Sequence, residues 1–280
     1  MSKSILIKNA KMVNEGKTFF GDLLIENGRI EKIDQNISHK KAETRVIDAN
    51  GKYLLPGIID DQVHFREPGL THKGDIHSES IAAVAGGTTS YIEQPNTVPQ
   101  ATTIEKLQDK YDLASQKSIA NYAFNLGATN DNLEELLKAD NKKVPGVKIF
   151  MGSSTGNMLV DDLVALEKIF SQVDNQIITH CEDEATIKAN YAKYHDQFGD
   201  DIPFSYHPLI RSAEACYLSS SLAVDLAKKH GTRLHVFHIS TGIETKLFTK
   251  EPLEKKKITA EACIHHLWFD DSFYDKKGSL

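Results

Sequence analysis

Along the first 55 residues apolar positions alternate or gather in short runs, and each run ends at a turn signal. Residues 4–10 (SILIKNA) alternate in part, and residues 21–26 (GDLLIE) form an apolar run closed by a charge. Asn27-Gly28 follows that run as a two-residue hairpin signal. Residues 29–33 and 44–47 supply further short strands, and Gly51-Lys52 a further turn. Residues 1–55 therefore read as the N-terminal part of a small β-sandwich domain.

From Tyr53 onward the pattern becomes strand then helix, repeated. Strands are predicted over 54–63, 88–92, 121–126, 146–151, 176–180, 233–239 and 258–262. Helices are predicted over 79–85, 104–115, 133–138, 161–172 and 212–230, with another starting at 243–247; the first stops at Gly86-Gly87, a helix-ending signal. Such alternation implies an α/β fold with a parallel sheet and helices outside. Residues 56–280 read as a (β/α)8 TIM-type barrel that is incomplete, with about seven strands present and no eighth before Gly278-Ser279-Leu280. An open doubly wound sheet is the competing architecture. The barrel is favoured because polar, ligand-type residues end several different strands.

Composition narrows the function. With 40% apolar and 26% charged residues the chain is of ordinary globular type, and its net charge of −6 disfavours nucleic acid or an anionic membrane as partner. Three well-separated cysteines, Cys181, Cys216 and Cys263, show no CxxC spacing, which argues for a reducing compartment and against a disulfide framework or cysteine-built zinc site. No apolar run reaches the roughly 20 residues of a membrane helix and no leader-type segment opens the chain, so a cytoplasmic location is expected.

Candidate chemistry sits at predicted strand ends. In residues 58–69 an apolar strand runs into Asp60-Asp61-Gln62-Val63-His64-Phe65-Arg66-Glu67 and then a Pro-Gly turn. Gln62 and His64, two apart, share one strand face; a histidine that merely caps the strand is the alternative. Lys148, inside Gly146-Val147-Lys148-Ile149-Phe150, is costly to bury as a free ammonium. It either snorkels outward or is neutralised or modified to serve a metal. His180 and His238 each end a strand, and each alone is as well explained by structure. Together with His64 they could hold a divalent ion, since neutral imidazole is a common zinc ligand. His235, three residues before His238, is expected to face the other way. Arg66 and Asn96 follow the first two strands and could grip a carboxylate, or Arg66 could pair locally with Glu67. His265-His266 either point into the mouth or form a loop pair. Residues 152–156 (GSSTG) make a small-residue loop without the lysine of a phosphate loop, and no GxSxG nucleophile elbow occurs.

These segments resemble the amidohydrolase superfamily and, within it, the long type of dihydroorotase. The resemblance rests on Val63-His64-Phe65-Arg66-Glu67-Pro68-Gly69, Ala85-Gly86-Gly87-Thr88-Thr89, Pro95-Asn96-Thr97, Val147-Lys148-Ile149-Phe150, His180-Cys181-Glu182 and His238-Ile239-Ser240-Thr241. It implies zinc, one ion or two, held by His64, Lys148, His180 and His238, with Lys148 carboxylated by CO2. It implies a substrate carboxylate bound by Arg66 and Asn96, and a homodimer in the full-length form. The reaction implied is the reversible closure of N-carbamoyl-L-aspartate to L-dihydroorotate in pyrimidine synthesis, in which zinc polarises the amide carbonyl and activates water.

Two departures qualify that expectation. The family's His-x-His is here Gln62-Val63-His64, which weakens one metal position. The family segment carrying a proton-shuttling aspartate is not found before Leu280, so a truncated and inactive fragment is expected. A non-catalytic homologue serving as a scaffold or partner subunit, and an allantoinase-like or hydantoinase-like ureide hydrolase, are the alternatives.

Overall fold

A computed structural model describes residues 4–38, 43–152 and 157–278; Ser153 to Gly156 of the small-residue loop lie outside the described residues. The chain divides into two compact units, Met1–Ile58 and Ile59–Leu280.

The first unit contains β1 (Ser4–Asn14), β2 (Lys17–Glu26), β3 (Arg29–Asp34), β4 (Arg45–Asp48) and β5 (Tyr53–Leu54). They form one sheet in the order β3-β2-β1-β4, with β5 also on β1. Asn27 and Gly28 both take positive φ, 50° and 76°, as a tight hairpin turn between right-twisted strands requires. Leu6, Leu24 and Ile37 form one small apolar cluster, and Ala10, Met12 and Leu23 another. Asp22, almost fully buried, accepts from Asn9 N–H at the irregularity of β1 and from Ile37 N–H after β3, and so ties both segments to β2.

The second unit continues with β6 (Ile58–Val63), α1 (Ile76–Ala85), β7 (Thr88–Glu93), α2 (Ile104–Lys117), β8 (Asn121–Phe124), β9 (Leu126–Gly127), α3 (Leu133–Leu136) and β10 (Val147–Phe150). Then follow α4 (Leu163–Gln172), β11 (Ile177–His180), α5 (Glu184–Phe198), α6 (His207–Ile210), α7 (Ala213–His230), β12 (Leu234–Val236), β13 (Ile258–Ala260), α8 (Ile264–Trp268) and α9 (Ser272–Lys277). The strands form two sheets, β6-β7-β8 and β13-β12-β11-β10-β9, with β8 and β9 consecutive around Asn125. From β9 to β13 every pairing is parallel. This is the α/β architecture of barrel type that the alternation predicts.

The register decides what the sheet presents. Lys148 pairs with Ile178, Ile178 with His235, and His235 with Thr259. Paired residues share a face, so these four side chains form one row. The neighbouring residues Ile149, Val236 and Ile177 instead belong to the main core, with Leu166, Ile169 and Phe170 of α4 and Ala223, Val224 and Ala227 of α7. All four residues of β10 are buried, as a parallel strand covered on both faces must be.

Helix starts follow local capping. Asp75, Asp162 and Ser212 each accept a backbone N–H of the first turn of α1, α4 and α7. The predicted strand 54–63 is two strands, because Pro56 lacks the N–H a ladder needs. The segment predicted to start a helix at 243–247 is a 3-10 turn, Glu244–Leu247. Helix α5 has no counterpart in the sequence reading: it buries none of its residues and so carries no apolar stripe. Among the described residues no helix is long and apolar enough to cross a membrane.

Candidate active site

Val63 and Phe65 pack with Ala83, Tyr91 and Tyr122 on the helix side of the first sheet. Gln62 and His64 alternate with them and face the other side. Gln62 Nε2 lies 3.0 Å from His64 Nε2, and Asn96 Oδ1 lies 2.9 Å from His64 Nδ1. One assignment satisfies both contacts: the Gln62 amide donates to Nε2, and His64 Nδ1–H donates to Asn96. Burial, aided by the nearby Arg66 and Lys148 charges, pushes the His64 imidazole down to about 3, so the ring is neutral. Asn96, expected to reach a substrate carboxylate, thus spends its oxygen on orienting His64.

Arg66 sits at a positive φ of 71°, held by its N–H donating to Glu93 Oε1 at 3.1 Å. Glu67 turns to Lys117 and to the Ile76 N–H, so the local Arg66–Glu67 pairing is not formed. Glu93 is itself buried against Lys110, with Nζ to Oε2 at 2.6 Å.

Lys148 does not snorkel. It is fully buried, and its Nζ has no hydrogen-bond partner. The Nζ lies 4.3 Å from the Phe237 ring centroid and 4.9 Å from that of Phe150. Burial pushes the ammonium down to about 7, against the opposing pull of Cys181 and Glu261. A substantial neutral amine population therefore exists near neutral pH.

His180 and His238 meet, with Nδ1 of the first 3.2 Å from Nε2 of the second. His180 Nε2 lies 2.8 Å from Glu182 Oε2, and Arg211 grips both oxygens of Glu182. A carboxylate on one imidazole nitrogen fixes the tautomer and leaves the other lone pair for a ligand. Burial pushes His238 down to about 3, with Lys148 and His180 adding to the effect. Beyond burial, the Lys148 charge lowers the imidazole pKa of His64, His180 and His238. Their ring nitrogens nevertheless do not form one set within 4.8 Å; His180 and His238 converge, while His64 is held by Gln62 and Asn96.

His235 corrects the parity argument. His238 lies beyond the end of β12 and takes a positive φ of 38°, which breaks the strand alternation between the two. The register puts His235 on the face of Lys148. His265 and His266 lie on the short α8, with rings 4.3 Å apart.

The sequence analysis assigns no role to Glu182 or Arg211. Glu182, two residues beyond His180, was within reach of the i, i+2 rule, whereas Arg211 carries no local signal. Burial raises the Glu182 carboxyl, but the bonds from His180 and Arg211 outweigh it and hold it at about 2. A depressed folded-state value contributes stability above the unfolded carboxylate range, near pH 4.3, that is lost as pH falls toward 2. Glu182→Gln is therefore expected to melt below the parent at pH 6, with the gap closing by pH 2 to 3 in thermal unfolding followed by circular dichroism. An unchanged gap would remove the ion pair from the account.

The donor chemistry fits a divalent cation: two neutral imidazoles, one oriented by a carboxylate, beside a buried amine with no partner. Such an arrangement suits polarising a carbonyl and activating water.

A family model described as Dihydro-orotase-like matches residues 51–244. A dihydroorotase of Methanosphaera stadtmanae is 31% identical over 279 residues, covering 98% of this chain and 62% of the relative. A dihydroorotase of Carboxydothermus hydrogenoformans is 36% identical over 277 residues, covering 95% and 61%. Among solved structures, an L-hydantoinase (dihydropyrimidinase) from Arthrobacter aurescens superposes with a TM-score of 0.90 at 26% identity, covering 98% of this chain and 61% of that one. The chain thus spans about three fifths of the length of the relatives it matches.

Proposed function

Because this chain belongs to the dihydro-orotase-like family, we propose that its whole protein is a zinc-dependent cyclic amidohydrolase, a dihydroorotase interconverting N-carbamoyl-L-aspartate and L-dihydroorotate. The observation that carries this reading is the fully buried Lys148 amine, without a hydrogen-bond partner, on the sheet face of His180, which in turn meets His238. Zinc held by His64, Lys148, His180 and His238 would polarise the ring carbonyl and activate water. The chain's own residues do the rest. Glu182 and Arg211 orient His180. Lys148, in its neutral form, is the form that reacts with CO2, and carboxylation would turn an amine into an oxygen donor. Arg66 would offer a planar fork, and the Asn96 amide a further donor, to the substrate carboxylate. Three well-separated cysteines support a reducing, cytoplasmic setting, the net charge of −6 disfavours nucleic acid as partner, and the resemblance supports a homodimer.

Arg66→Ala separates a carboxylate-bearing substrate from one without. Loss of a charge-assisted pair costs about 1.5–3 kcal/mol, so KM for L-dihydroorotate is expected to rise roughly 10- to 150-fold, while KM for unsubstituted hydantoin stays within about twofold. Equal losses on both substrates would count against Arg66 as the carboxylate grip.

One observation favours the scaffold reading: the Gln62 amide occupies the Nε2 lone pair of His64. Zinc loading decides between the two. Bound zinc with turnover in the whole protein supports the enzyme; a whole protein that takes up no zinc and turns over neither substrate is a scaffold.

A further inference from the structure

A second cluster is built around His235 of the Lys148 row, outside the residues that the proposed reaction uses. Asp61 of β6, His235 of β12 and Glu261 just after β13 each place one ligand-type atom within 4.8 Å of the others. His235 Nε2 is 3.4 Å from Glu261 Oε2 and 3.9 Å from Asp61 Oδ2. Three separate segments bring these groups together, so the convergence is a product of the fold and not of sequence adjacency.

The neighbouring threonine sets the histidine's state. Thr259 Oγ1 lies 3.4 Å from the Leu234 carbonyl, to which it donates, and 2.7 Å from His235 Nδ1, from which it can then only accept. One proton is thereby on Nδ1, and Nε2 faces two carboxylates, pairing with them when the ring is protonated and offering them a lone pair when it is neutral. His235 Nε2 and Glu261 Oε1 are both buried without a hydrogen-bond partner. With the ring neutral and both carboxylates ionised, these three electron-rich atoms repel unless a proton or a metal cation stands between them. Burial and the adjacent Glu261 push the Asp61 carboxyl up to about 6, the same strain seen in titration.

We propose that Asp61, His235 and Glu261 form a second divalent-cation site, separate from the Lys148 centre and suited to zinc or a similar first-row ion. One imidazole nitrogen and two carboxylate oxygens are too few oxygens for calcium and include a donor magnesium disfavours. Zinc bonds of about 2.0–2.2 Å in tetrahedral array separate neighbouring ligand atoms by about 3.4 Å. That matches the His235–Glu261 distance, and Asp61 closes by a small rotation.

Counting zinc tests this. The chain is stripped with chelator, dialysed to equilibrium against micromolar zinc at pH 7.5, and its bound metal measured by mass spectrometry. His235→Gln, Glu261→Gln and Asp61→Asn are each expected to bind one zinc fewer than the parent, and Lys148→Met to lose a different one. Glu261→Gln combined with Lys148→Met then loses two. Cys263→Ser controls for the nearby Cys263, His265 and His266, and should leave the count unchanged. Should His235→Gln fail to fold by circular dichroism, the isosteric Glu261→Gln and Asp61→Asn carry the same readout. Parent-level zinc in the folded variants means that the cluster holds only a proton, and overturns the proposal. An unchanged count in Lys148→Met alone speaks against the Lys148 centre and leaves this site standing.

Discussion

Lys148→Met is expected to weaken zinc binding by more than about 100-fold while raising the melting temperature of the metal-free chain. Loss of groups that merely orient metal ligands costs 10- to 100-fold, and Lys148 is placed as a ligand. The stability gain has a separate origin. A buried amine without a partner is costly, and methionine fills similar volume with no polar atom. The sign of the pH dependence follows from the same burial. Folded Lys148 titrates at about 7 and an unfolded lysine near 10.4. Between those values the unfolded state binds more protons, so the parent gains stability as pH rises. The advantage of Lys148→Met should thus be largest near pH 7 and shrink toward pH 10. Calorimetric melts across that range, with zinc titrations, check both halves. Reconstitution without bicarbonate adds a third reading: weaker zinc binding by the parent and no change in Lys148→Met. Equal zinc affinity in parent and variant would remove Lys148 from the metal centre.

Lys110→Met is expected to be among the most destabilising single changes in this chain, at about 3–5 kcal/mol. Lys110 and Glu93 are 2% and 1% exposed in their side chains and lie 2.6 Å apart. Burial drives the Glu93 carboxyl up and the Lys110 ammonium down, so each depends on the other to stay charged. Removing the lysine strands a buried carboxylate. On a domain of this size the loss corresponds to a fall of roughly 10 °C in melting temperature. Lys110→Met combined with Glu93→Gln should recover most of it, because the glutamine oxygen still accepts from Arg66 N–H and no charge remains. A double variant no better than the single would show that packing around Lys110, and not the charge, sets the cost. The pair also bears on function: Glu93 holds the backbone of Arg66 in its left-handed conformation.

The sequence by itself determined the succession of strands and helices in the second unit, the hairpin at Asn27-Gly28, and the residues at the strand ends where chemistry collects. These are local properties. Apolar periodicity, a capping side chain and a two-residue turn act within a few positions and survive without the rest of the chain. Only the tertiary structure decided which residues face one another. The row joining Lys148, Ile178, His235 and Thr259 is set by pairing between strands far apart in the chain. The positive φ of His238 shifts that residue out of step with His235, and no spacing rule registers such a break. Arg211 reaches Glu182 across 29 residues, and α5 forms beside them without an apolar stripe to announce it. Register, chain reversal and burial are cooperative outcomes of packing, whereas residue type and spacing set only which groups are available to meet.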